Sequence, residues 1–151
     1  MRGYSSTPAP CESGNANKTM LTVIGATTVR PSIFDVLVGN SQAPADAAAQ
    51  VALARFTAAG TTAASAPTPL PLDPGDVAAL ATLGWTHSAE PTYTAGGSGV
   101  EMNFNQRTPV RWVANPGYEF KGAASANNGV GLRLVASTAA MILRGVVHWY
   151  E

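Results

Sequence analysis

The chain has 151 residues, 46% of them apolar and 12% charged, with nine basic side chains balancing nine acidic ones. This length fits a single domain that buries about 68 to 70% of its unfolded surface, and with only Lys18 and Lys121 beside seven dispersed arginines it lacks the basic footprint of a nucleic-acid binder. No apolar run approaches the ~18 residues of a spanning helix, so neither nucleic acid nor membrane is an expected partner.

Residues 1–18 contain Pro8, Pro10, Gly3 and Gly14 among Ser and Asn, without apolar periodicity, and are expected to form a flexible arm ahead of one domain over 19–151. Cys11 stands alone there and has no intramolecular disulfide partner. Met1-Arg2-Gly3-Tyr4-Ser5 is not followed by a signal-peptide apolar core, which predicts synthesis in a cytoplasm.

Residues 19–29 read as a first strand with Leu21 and Val23 opposed to Met20, Thr22 and Ile24, broken by Arg30-Pro31. In 33–38, Phe34, Val36 and Val38 share one face and Asp35 takes the other, before Gly39-Asn40 turns the chain. Residues 42–49 are Ala-rich and are expected to make a short helical turn capped by Asp46, leading into a strand over 51–57. Residues 58–76 form a long loop whose core, Pro67-Thr-Pro-Leu-Pro-Leu-Asp-Pro-Gly-Asp, favours extended polyproline geometry. Such loops are usually functional or held against a neighbour.

Residues 77–83 fit either a short helix or a loop. Strands over 85–94 and 100–104 are expected to meet at a hairpin tip, Ala95-Gly-Gly-Ser-Gly. The last third is a run of short strands separated by Gly, Pro and Asn. In the final one Met141, Leu143, Val147 and Trp149 face one way, and Arg144, Val146, His148 and Tyr150 the other. About eight strands with almost no helix predict an all-β, jelly-roll-like β-sandwich with an extended arm and a long Pro-rich loop. Its core should include Val36, Trp112, Leu132, Leu134, Val147 and Trp149.

Motifs that would carry chemistry are sparse. Gly96-Gly97-Ser98-Gly99 lacks the lysine of a phosphate loop and sits between strands, and Asn127-Asn128-Gly129 reads as a turn. His87 and His148 lie in strand-like stretches with no local acidic or cysteine pattern, so structural roles outrank a Ser-His-Asp triad. Asp73 and Asp76 lack the further oxygen ligands of a calcium loop and fit an Asx turn. Glu90, Glu101 and Glu119 offer no readable spacing for glycoside hydrolysis. A sugar platform built from Trp85, Tyr93, Trp112 or Tyr118 would need exposed, coplanar rings; core packing is the default for the tryptophans. The expectation is therefore a non-enzyme without cofactor or metal.

Four phrases carry a family resemblance: Ala66-Pro-Thr-Pro-Leu-Pro-Leu, Arg111-Trp-Val-Ala-Asn-Pro-Gly, Ala126-Asn-Asn-Gly-Val-Gly-Leu and Gly145-Val-Val-His-Trp-Tyr-Glu. In this order they resemble small virion proteins of tailed bacteriophages linked with capsid decoration. The resemblance implies a cement protein on the outer capsid surface, a homotrimer bridging copies of the major capsid protein. Arg2, Tyr4, Cys11 and Lys18 of the arm would then be available to contact the shell. Arg144, His148 and Tyr150, on the outward face of the last strand, are the candidate oligomer interface. The competing expectation is a tail, fibre or head-spike module that binds a receptor glycan.

Overall fold

The computed structural model describes residues 1–6, 9–13, 18–62 and 67–151. Among these the regular elements are all strands: β1 (Gly3–Ser5), β2 (Ala9–Ser13), β3 (Lys18–Ile24), β4 (Ser32–Asn40), β5 (Ala48–Ala58), β6 (Leu70–Pro71), β7 (Thr82–Trp85), β8 (Thr92–Asn105), β9 (Val110–Val113), β10 (Phe120–Lys121), β11 (Gly129–Ser137) and β12 (Met141–Tyr150). They build two antiparallel sheets. Sheet A runs β10-β4-β12-β1-β6, with β9 also on β4 and β2 also on β12; sheet B runs β7-β3-β11-β5-β8.

The alternation of β12 decides which side is buried: Met141, Leu143, Val147 and Trp149 go into the core, leaving Arg144, Val146, His148 and Tyr150 outside. Val130, Leu132 and Leu134 of β11 and Val36 and Val38 of β4 are buried with them. A Cβ added at Gly145 in β12 would lie 2.7 Å from Leu132 and 3.2 Å from Met20 in β3. That approach places the inner faces of the two sheets against one another, as in a sandwich. Trp112 is only half-buried, packed against the rim of this core.

Several expectations change. The supposed arm is strand wherever it is described: β1 and then β2 pair along one edge of β12, and β6 closes the far side of β1. Tyr4 is 1% exposed and stacks on Trp149 with ring centroids 5.9 Å apart. Backbone pairing and one buried ring hold this segment, and neither needs the apolar periodicity that residues 1–18 lack. Residues 7, 8 and 14–17 of the expected arm lie outside the described residues.

The short helical turn expected over 42–49 does not form, and of the two readings of 77–83 the loop holds as far as β7, which begins at Thr82. The amide of Ala45 donates to Gln106 Oε1 at 3.2 Å and Asp46 accepts from Asn105 Nδ2 at 2.6 Å, while Leu80 and Ala81 donate their amides to the Glu151 carboxylate. Tertiary acceptors have taken the groups a helix would use. The first strand stops at Ile24, and Ala26 and Val29 then pair with each other in a tight turn. Within 58–76, Leu70–Pro71 is the edge strand β6, and Asp73 Oδ1 accepts from the Gly75 amide at 2.9 Å in an Asx turn. Residues 63–66 lie outside the described residues.

The expected hairpin tip at 95–99 is the middle of β8, one strand of 14 residues paired with β5 through three register shifts. Gly96 has φ +67°, and a Cβ on Gly99 would sit 2.1 Å from the Phe120 ring. These glycines serve a bulge and a close ring contact inside a strand, which in sequence look the same as a turn. A bulge also turns Phe34 to the outer face: Val147 opposes Val36 and His148 opposes Asp35, but Trp149 opposes Ile33. Phe34 is the extra residue, and its ring stacks on Tyr150 at 4.1 Å.

Candidate functional site

The outer face of sheet A carries a three-residue polar cluster drawn from three adjacent strands. Asp35 of β4 opposes His148 of β12, and Arg111 of β9 opposes Leu37, two residues along from Asp35. This register brings Arg111 Nε to Asp35 Oδ1 at 2.9 Å and Nη2 to Oδ2 at 2.8 Å, a forked pair. His148 Nδ1 lies 3.1 Å from the same Oδ2.

Asp35 is 5% exposed, yet its carboxyl is held below the usual aspartate range, first by the Arg111 hydrogen bonds and then by the His148 contact, against the opposing effect of burial. An ionised carboxylate can only accept, so Nδ1 of His148 carries the proton of that contact. The guanidinium of Arg111 is raised in turn by Asp35. Phe34 covers one side, stacking on His148 at 6.0 Å.

An aspartate orienting a histidine is half of a hydrolytic triad. The serine opposite His148 in the register is Ser5, and its hydroxyl donates to the Ser6 carbonyl at 3.0 Å. Asp35, Arg111 and His148 together make a charged joint across β9, β4 and β12 that leaves exposed groups around it. Leu37 and Val113 are exposed on flanking positions of β4 and β9, and Arg144 is exposed further along β12. A groove of about 580 Å³ beside them is lined by Phe34, Val113, Pro116, Glu119, Lys121 and Tyr150.

Sheet B has its own polar cluster. His87 is buried, with Nε2 3.4 Å from Thr22 Oγ1, and Lys18 Nζ donates to the His87 carbonyl at 2.7 Å. Lys18 also pairs with Glu90 at 3.1 Å, and the other Glu90 oxygen accepts from the Thr19 amide. Tyr93 lies across Gly131, with its hydroxyl 2.8 Å from Thr19 Oγ1 and Arg133 over its ring.

The residues singled out from the sequence are thus scattered. Of the proposed shell contacts, Tyr4 is core, Lys18 is tied to Glu90, Arg2 pairs with Asp76 at 3.5 Å, and Cys11 lies in β2 against Leu143 by backbone register. Arg144, His148 and Tyr150 do share the outer face of sheet A. Val36, Leu132, Leu134, Val147 and Trp149 are buried. Trp85 and Trp112 pack against the core rim, Tyr93 lies on sheet B, and Tyr118 is exposed on a turn.

Glu101 accepts from Gln50, and Glu119 from the Gly117 amide. Sequence reasoning missed the partnership of Asp35 with His148 and Arg111. The one available signal was that Asp35 is a charged residue on the outward face of an otherwise apolar strand. Among the described residues no three His, Cys, Asp or Glu side chains gather as a metal-ligand group. Comparison with protein-family models, curated proteins and solved structures finds no match to this chain.

Proposed function

We propose that this chain is a structural virion protein of the capsid decoration type, which binds the outside of a phage shell and bridges neighbouring copies of the major capsid protein. The observation that carries the reading is an apolar rim at the β6 edge of sheet A. Leu70, in the sheet A edge strand β6, and Leu72, Val77 and Leu80 after it are each more than half exposed, with Val77 and Leu80 beside Met1. With Arg2, Tyr4 and Glu151, the last two of these and Met1 frame a hollow of about 330 Å³. Exposed apolar groups gathered in one place mark a surface that associates, and the low charge of the chain favours it.

In this proposal the rim, carried by the Pro-rich loop, meets the shell in place of a free arm. The outer face of sheet A, with Arg144, His148 and Tyr150 beside Leu37 and Val113, packs around the axis of a homotrimer. The path β3 to β4 to β5 and β11 to β12, crossing between sheets at each step, supports a jelly-roll-like description of the sandwich. The role is mechanical: many weak contacts held at once give the avidity that resists shell expansion.

The test is the copy number of this chain relative to the major shell protein in purified particles, by quantitative mass spectrometry. A fixed stoichiometric fraction of the shell protein is expected. A few copies per particle would move the protein to a tail or spike, and absence from particles would overturn the reading.

A further inference from the structure

Residues 86–91 cross the outer face of sheet B and are held there by a small number of contacts. Lys18 Nζ donates to the His87 carbonyl, Glu90 bridges Lys18 and the Thr19 amide, and Ala89 pairs with Thr61, whose amide donates to the Ala89 carbonyl at 2.9 Å. The segment starts with backbone strain. Thr86 has φ +46°, a conformation that β-branched residues rarely adopt and that persists only when surrounding contacts impose it.

Beneath the segment, His87 is 2% exposed. The Thr22 hydroxyl has one proton, which goes to the Gly84 carbonyl at 3.3 Å. With the hydroxyl proton placed there, its oxygen is the acceptor for Nε2–H of His87 at 3.4 Å. That tautomer leaves Nδ1 as a bare lone pair, buried and without a hydrogen-bond partner among the described residues. A second proton at Nδ1 would add a buried charge and a donor with no acceptor.

We propose that residues 86–91 form an acid-released latch, in which protonation of His87 frees the segment from the outer face of sheet B and relaxes Thr86. The charged groups acting on His87 are Lys18 at the start of β3 and Glu90 within the latch; Tyr93 and Arg133, from β8 and β11, are the titratable groups further along the same sheet face. Burial lowers the His87 pKa first, Glu90 raises it and Lys18 lowers it again. In the open segment the imidazole is solvated and titrates in the ordinary histidine range. The open form therefore binds the proton more tightly, and opening grows as pH falls through that range, by about tenfold per pH unit until the closed form protonates too.

Hydrogen exchange of the amides of 86–91, followed by mass spectrometry from about pH 8 to about pH 5 and corrected for intrinsic exchange, tests this. The wild type should show opening that rises with acid in this segment and not in β11 or β12. His87→Gln should abolish the pH dependence, whereas His148→Gln should keep it. A flat wild-type profile, or a His87→Gln profile that still rises, overturns the latch. Should His87→Gln fail to fold, NMR titration of wild-type His87 decides: an imidazole that titrates in the ordinary histidine range while the amides of 86–91 stay unchanged also overturns it.

Discussion

Trp149 ties together parts of the chain that composition alone would keep apart. Its ring stacks on Tyr4, and its indole nitrogen donates at 3.2 Å to Glu151 Oε1, which also receives the Ala81 amide at 2.9 Å while Oε2 takes the Leu80 amide. Trp149→Ala should therefore cost about 3 to 5 kcal/mol, read as a lower urea midpoint; an unchanged midpoint would contradict its burial. Asp35 acts differently, because its partner Arg111 is 61% exposed and would be rehydrated if released. Asp35→Asn is expected to cost only about 1 to 2 kcal/mol. The sign of its pH dependence comes from the lowered carboxyl: the stabilisation is complete above the unfolded aspartate pKa and is lost as pH falls below about 4. Stability curves of wild type and Asp35→Asn should therefore converge in acid. The residue types at Asp35, Arg111 and His148 were legible from the sequence, but their meeting depends on strand register across separations of 76 and 113 residues.

At the level of elements, period two was readable where a strand is regular, as in β12, whose inner and outer faces fall as its alternation predicts. It failed at bulges, because one extra residue reverses the facing of every later residue in the strand. Phe34 in β4 and the Gly-rich middle of β8 are both such places, and a glycine carries no mark that separates a bulge from a turn. The segment 1–6 failed for another reason: its order comes from the free edge of β12, a partner that local sequence does not display. Deleting residues 1–6 should uncover Trp149 and leave one edge of the end of β12 unpaired, lowering the thermal midpoint by several degrees. A deletion variant that melts with the full chain would show that β1 is dispensable.

For the whole molecule, the two sheets leave different surfaces free. Sheet A offers the apolar rim and the charged joint, while much of the outer face of sheet B near β3 is covered by Tyr93 and the 86–91 segment. Leu72→Glu combined with Leu80→Glu places charge on the rim without touching the buried core, so stability should move by no more than about 0.5 kcal/mol per site. In the proposed decoration role, attachment to stripped shells should be lost in a co-sedimentation assay, and retained attachment would locate the contact elsewhere.

The pairing of β1 and β2 with β12 also governs how the protein reaches its structure. Ser6 donates its amide to Val147 and accepts that residue's amide on its hydroxyl, across 141 residues of chain. β4 likewise waits for β12 to fill its inner edge. During synthesis, sheet A therefore stays an open set of unsatisfied edges until β12 has been made, while β3 and β5 of sheet B wait almost as long for β11 between them. Such non-local closure places folding on the millisecond-to-second scale of β-sandwiches, and the nascent chain passes through a stage at which its unpaired strands can join those of a neighbouring copy.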